Sequence, residues 1–342
     1  MTVDQHELYV GSQAADASFS GARRRFVREL APQDFIVFSY LIVLNTAVFR
    51  SQPGAARNFG LACVSGLIVL HIVTMLAIRT RWLTHRYVMP LLYRVVTYGC
   101  VQVTYFMFAQ LLPLVNPRSL DHELYQFDLK YFGVEPAVYL DRFVTPATTE
   151  WFAFFYFSYF LVLALHVLPI LFASRNSRAL SEFALGMIIM FCIGHTFYML
   201  VPGYGPYRAL PEVFEHPLSS GIWWNTTTDL VARSGAQKDI FPSLHTAAPT
   251  FLFLFSYHRR AELPFKYTWP VVAFFAANIV IATMFLRWHY VIDVIAGLFL
   301  ALLTHVLTVR LTGREVARRD ALGLGAPWPQ WGVEPEPHYV RR

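Results

Sequence analysis

Phe241-Pro242-Ser243-Leu244-His245-Thr246 and Arg287-Trp288-His289-Tyr290-Val291-Ile292-Asp293 bracket the stretch that decides the fold. Between them the chain is almost wholly apolar, broken near its middle by His258-Arg259-Arg260, Pro264 and Lys266. That pattern predicts a helical hairpin crossing an apolar layer twice. The first arm, His245 to Tyr257, supplies only ~20 Å of helix against a hydrocarbon core of ~30 Å. His245 is therefore expected below the membrane surface, or on a bent helix. The second arm, Trp269 to Leu286, supplies ~27 Å. It returns His289 to the end of the hairpin where His245 lies.

Working outward, the rest of the chain is of the same kind. Of 342 residues, 56% are hydrophobic and only 15% are charged, whereas soluble domains carry ~25% charge. Apolar spans fall at about 34–49, 59–78, 95–115, 151–173, 182–202, 245–258, 269–286 and 291–309. They mix β-branched and aromatic residues without strict alternation, so helices fit and barrel strands do not. The expected fold is an all-α polytopic membrane protein with about eight transmembrane helices. Residues 1–33 read as a polar cytoplasmic tail and 34–115 as N-terminal transmembrane helices. Residues 116–312 read as a catalytic membrane domain, and the proline-bearing 313–342 as a second structureless cytoplasmic tail. No internal repeat is evident.

Charge sets the topology. With the N-terminus inside, the outer segments hold Arg50, Arg57, Arg118, Lys130, Arg142, Arg208, Arg233, Lys238 and Arg287, and the rest of the 28 Lys and Arg lie inside. Both termini are then cytoplasmic. Two long outer loops follow, 116–150 and 203–242. The first, with six acids among Tyr125, Phe127, Tyr131, Phe132 and Tyr139, suits either an interfacial helix or lid or an ordinary connector. The net charge of +6 follows from this asymmetry and does not call for nucleic acid. Cys63, Cys100 and Cys192 all lie in apolar runs and read as small buried hydrophobes.

The chemistry is expected where the hairpin ends. His289 and Asp293, four apart, share one helix face. A carboxylate there fixes the imidazole tautomer and leaves the other ring nitrogen as a nucleophile. His245 follows Pro242-Ser243 near a helix start, where free N–H groups and Ser243 Oγ suit phosphate oxygens. Arg208, Lys238 and Arg287 lie on the same outer face and suit neutralisation of a phosphate. A nucleophilic His, a second His as acid and an orienting Asp make a phosphotransfer site that needs no metal and no cofactor.

These motifs carry a resemblance. Pro242-Ser243-Leu244-His245 and His289-Tyr290-x-x-Asp293-Val294-x-x-Gly297 are similar to the two histidine motifs of the type 2 phosphatidic acid phosphatase superfamily. The branch most resembled includes fungal inositol phosphorylceramide synthases. Gly203-Tyr204-Gly205-Pro206-Tyr207-Arg208 stands where that branch has its first motif, and Phe132-Gly133-Val134-Glu135-Pro136 is reminiscent of it as well. The likeness covers about 120–310. It implies a six-helix phosphatase-type core with His289 as nucleophile, His245 as acid, Asp293 orienting His289, and Arg287 and Arg208 on phosphate. Tyr204 would join them as a substrate contact. The chain departs from the superfamily in lacking its K-x6-R-P motif, in placing Thr283 where the phosphatases have Arg, and in having Leu244 for Gly.

Plainer roles stand beside these. Arg287 and Arg208 also suit interfacial anchors, Lys238 a loop charge, and Ser243 a helix N-cap. His195, ~10 Å below its helix end, faces either the head-group pocket or a neighbouring helix. The expected activity is a lipid phosphotransferase working through a phospho-histidine. It would move a phosphorylated head group, of the inositol-phosphate type, from a phospholipid to a lipid alcohol such as ceramide or diacylglycerol. Its partners would be membrane lipids, in a plasma or inner membrane with the site on the extracytoplasmic face. Hydrolysis of phosphatidate or polyprenyl diphosphate is the alternative within enzymes. A transporter or lipid-binding protein is the alternative outside them; the absent repeat and the clustering of ionisable groups at one face argue against it.

Overall fold

The computed structural model describes residues 26–218, 221–233 and 237–333. The described chain is helical throughout and contains no strand beyond one isolated bridge, Gly203 to Asp239. The main helices are α1 (Pro32–Arg50), α2 (Ala55–Arg79), α3 (Val88–Val115), α4 (Asp121–Phe132), α5 (Pro146–Ala173), α6 (Ser177–Leu200), α7 (Ile222–Arg233), α8 (Leu244–His258), α9 (Phe265–Phe285) and α10 (Val291–Leu322). Seven of them, α1–α3, α5, α6, α9 and α10, are long and apolar enough to cross a membrane. The eighth expected span is α8. Its 15 residues make ~22 Å of helix, short of a ~30 Å core.

Helix α8 lies at the centre, packed against α9, α10, α5 and α6. Helices α1–α3 form a group that joins the others through α6. Large apolar side chains such as Phe106, Leu165, Val271 and Phe299 remain exposed on the outside, where lipid replaces water. The α8–α10 contact depends on Gly297, where a Cβ would sit 2.5 Å from Ser243 O. The glycine four residues after Asp293 therefore lets the two motif-bearing helix starts meet.

The connectors are built rather than loose. Glu150, in α5, accepts the first N–H groups of α7 at Trp223 and Trp224. The 116–150 loop is more than a plain connector, because it carries a helix bonded to other segments. Helix α4 uses Asp128 to take the Val291 and Ile292 N–H groups at the start of α10 (2.7 and 3.2 Å). It uses Asp121 to take the Tyr204 and Gly205 N–H groups and the Tyr290 hydroxyl. Three segments far apart in sequence are fixed to one another this way.

The C-terminal segment also differs from expectation. Helix α10 continues to Leu322, supported by Glu315–Arg319 and Glu315–Arg318 pairs one turn apart. The chain then turns back beneath α1–α3. Pro327 O accepts from Gln33 and Arg79, while Trp328 is buried between Tyr93 and Tyr98. Of the prolines that suggest disorder, Pro327 and Pro329 lie in this docked strap and offer their carbonyls to Gln33, Arg79 and Arg94. Residues 334–342 of that tail, and residues 1–25 of the N-terminal one, lie outside the described residues. Residues 26–29 are helical, and Arg319 donates to Glu29 O.

Candidate active site

The loop after α6, the segment before α8 and the α9–α10 turn meet at one end of the bundle. Gly203 N–H donates to Lys238 O, which joins the first two. Tyr207 N–H donates to Arg287 O at 2.6 Å, which joins the first and third. Gly205 makes that approach possible. Its φ is +81°, and a Cβ there would lie 2.2 Å from Trp288 O. Only glycine meets both conditions without strain.

These segments, with α5, α7 and Tyr105 of α3, line an open cavity of about 330 Å³. His245 and His289 both line it, with Tyr105, Tyr156, Phe160, Tyr204, Arg208 and Asp239 among the others. The two histidines 44 residues apart in sequence thus share one chamber. The His245 ring is sandwiched by Tyr156 and Tyr159, with centroids 4.4 and 4.1 Å away, and its Nδ1 is buried with no hydrogen-bond partner. Two tyrosines of α5 therefore orient the His245 ring. Leu244, the departure from the family motif, packs against Gly194 of α6.

His289 Nδ1 is 3.4 Å from Asp293 Oδ2, although His289 does not share a helix face with Asp293 as expected: it stands in the turn before α10, whose N-cap is Tyr290. The pair is at ion-pair range without an aligned hydrogen bond, because Oδ2 is turned to the Tyr290 N–H at 3.0 Å. Burial pushes the His289 imidazole down to about 4, with the nearby Asp239 charge opposing that fall. The ring is neutral at pH 7, the state in which a ring nitrogen can act as nucleophile or base.

Of the six side chains the sequence suggests for substrate, Tyr204 and Arg208 line the cavity, and Arg287, Ser243, Lys238 and His195 do not. Arg287 is taken by Asp141, 2.6 Å from its Nη2, and by His216 O, with its guanidinium over the Phe214 ring. Burial opposes ionisation of Asp141, but His216, two backbone N–H groups and Arg287 hold its carboxyl below the usual range. Lys238 is buried, with Nζ on the Pro117 and Arg118 carbonyls. Ser243 Oγ caps α8 through the Thr246 N–H. His195 sits one layer behind the cavity, stacked on Tyr105 and 3.4 Å from the Tyr40 hydroxyl. Arg208 stacks on Tyr204 and bonds Gln237. Among the described residues it has no carboxylate within ion-pair range.

Sequence reasoning missed Asp239 and Tyr105. Asp239 lines the cavity and accepts from the Tyr105 hydroxyl at 3.0 Å. Its burial raises the carboxyl above the usual range, with the Tyr105 bond working the other way. A single Asp two residues before an apolar motif gives no signal by itself. Tyr105 lies in the middle of an apolar span, among other aromatic residues.

No match was found among curated proteins or among solved structures. A family model described as the PAP2 superfamily matches residues 122–307, more than half of the chain, and that range holds both histidines, Asp293, Asp239 and Arg208. Two histidines in one cavity, at one end of a bundle of apolar helices and inside that matched range, make this chain a multi-pass membrane protein of the PAP2 superfamily, the type 2 phosphatidic acid phosphatases.

Proposed function

We propose that the protein is a lipid phosphotransferase that works through a phospho-histidine at His289. The observation that carries this reading is the shared cavity, whose lining includes two imidazoles from separate helix ends and Arg208. A ring nitrogen of His289 attacks phosphorus. The N–P bond forms as the P–O bond to the leaving alcohol breaks, and His245 gives that oxygen a proton. A bound phosphate, being anionic, favours the protonated form of His245 that this step needs. Asp293 orients His289, and Arg208 balances charge on the phosphoryl oxygens.

The charge inventory bears on the substrate. Arg287 and Lys238 are engaged elsewhere, which leaves Arg208 facing the cavity together with the acid Asp239. That balance suits a phosphodiester, with one negative charge, better than a dianionic monoester. It favours transfer of a phosphorylated head group, of the inositol-phosphate type, to an alcohol such as ceramide or diacylglycerol. Hydrolysis of phosphatidate or polyprenyl diphosphate is the competing outcome. The distribution of Lys and Arg supports a site on the extracytoplasmic face of a plasma or inner membrane.

The test uses purified protein in detergent. It is offered labelled phosphatidylinositol with ceramide or diacylglycerol, and phosphatidate in a separate assay. A new phosphorylated lipid in the first assay, abolished by His289→Asn and unaffected by chelator, is expected. Turnover that survives His289→Asn refutes the mechanism. Release of inorganic phosphate from phosphatidate, with no transfer product, replaces the transferase reading by the phosphatase one.

A further inference from the structure

Two carboxylates stand near His289, and they are placed differently. Asp293 is fully buried, does not line the cavity, and spends Oδ2 on the Tyr290 N–H while Oδ1 has no partner. Asp239 lines the cavity with His289. Its backbone is fixed by the bridge to Gly203, and its carboxylate by the Tyr105 hydroxyl. Tyr105 is itself held by the stack on His195 of α6. This is a built position, made by α3, α6 and the segment before α8 together.

A carboxylate in a cavity for an anionic phosphate opposes binding, unless it faces a group that becomes positive during the reaction. A neutral imidazole that accepts a phosphoryl group becomes such a group, since its ring then carries a positive charge. We propose that Asp239, held by Tyr105, is a positioning residue that stabilises His289 in its phosphorylated, cationic form from the cavity side, while Asp293 orients the ring from the helix side. This rests on the phospho-histidine reading above. In the first step the His289 lone pair forms the N–P bond, the leaving oxygen takes the P–O electron pair and the His245 proton, and Asp239 offsets the new ring charge. In the second step the acceptor alcohol attacks phosphorus. The N–P electron pair returns to the ring, and the alcohol proton goes back to His245.

The groups that face Asp239 are Tyr105 from α3, Tyr156 and Tyr159 from α5, Tyr198 from α6, and His289. His245 and Arg208 line the same cavity. Asp239 and His289 each feel the other's charge: the acid opposes the fall of the imidazole, and the imidazole opposes the rise of the acid.

The test compares Asp239→Asn, Asp239→Glu and Tyr105→Phe with the parent in the transfer assay. Asp239→Asn is expected to lower kcat about 100-fold, the scale for losing one preorganised electrostatic partner. Its KM should stay close to that of the parent, and less phospho-enzyme should be trapped on rapid quench. Asp239→Glu should restore part of kcat. The acid limb of kcat/KM supplies a readout that a merely structural role would not move. Activity needs Asp239 ionised and His289 neutral. Tyr105→Phe removes a bond that holds the carboxylate ionised, so the limb moves to higher pH. Asp239→Asn removes the charge that props up His289, so the limb moves to lower pH. Shifts in the same direction, no shift in either variant, or a rise in KM with kcat kept would each overturn the proposal. If Asp239→Asn does not fold, Tyr105→Phe decides alone, by an upward limb or its absence. Turnover that survives His289→Asn removes the parent reading. A normal phospho-enzyme in Asp239→Asn, with His289 still essential, removes only this one.

Discussion

Gly205→Ala probes the contact that closes the cavity. The substitution places a methyl group 2.2 Å from Trp288 O, on a residue whose φ is +81°. Left-handed backbone costs a non-glycine residue ~1–2 kcal/mol. Relief of the clash requires the loop to lift, which breaks the Tyr207 N–H bond to Arg287 O at a cost of ~1 kcal/mol. Together ~2–3 kcal/mol is set against the closed loop, or about 30- to 150-fold at ~1.4 kcal/mol per factor of ten. Because the same loop carries Tyr204 and Arg208, kcat/KM is expected to fall by that factor. The helices are untouched, so the melting midpoint in detergent should move little. The assay is initial-rate transfer at several lipid concentrations, run beside thermal unfolding. Gly99→Ala is the control, since a Cβ there meets nothing within 4 Å. A Gly205→Ala enzyme within twofold of the parent would refute the claim that this close approach shapes the site.

Two further perturbations separate chemistry from architecture. Arg208→Ala should lower kcat/KM by about 100-fold with no change in thermal midpoint. Arg287→Ala should instead destabilise the protein by ~3 kcal/mol, because the buried Asp141 carboxylate loses its cation; the reverse pattern in paired rate and melting measurements would exchange their roles. Trp328→Ala should cost ~3 kcal/mol through the vacated space between Tyr93 and Tyr98. It should also expose the segment after Gly323 to protease with KM unchanged, and a strap still protected from cleavage would count against its docking.

The parts of the fold legible in sequence are those set by local pattern. Apolar runs predict the helices, and the short run after His245 predicts the short α8. The four-residue spacing of Asp293 and Gly297 puts both on α10, but His289, expected on the same helix face, stands in the turn two residues before the helix begins. The errors have one cause, which is that a charge reveals its partner only in three dimensions. Arg287 reads as a phosphate ligand because it stands two residues before His289, yet its carboxylate comes from position 141. Lys238 reads as a loop charge or a phosphate partner, yet its ammonium donates to two carbonyls from residues 117 and 118. Asp121 and Asp128 read as loop acids, and in the structure they hold the N–H groups of segments at 204–205 and 291–292. The C-terminal prolines suggest disorder by composition, and nothing local announces that Gln33, Arg79 and Arg94 await their carbonyls.

The shortness of α8 has a consequence for the surrounding bilayer. A 15-residue helix leaves ~8 Å of a ~30 Å hydrocarbon layer unspanned. Its longer neighbours stand at full height around it. The cavity lies at the end of α8 that carries His245, so a deficit taken up at that end forms a recess with the His245 imidazole in its wall. Thinning the membrane everywhere to match would cost a fraction of a kcal/mol per ångström, whereas a recess confines the mismatch to one point. For the lipid substrate proposed above, such a recess would let the phosphate reach His245 while the acyl chains stay in the leaflet.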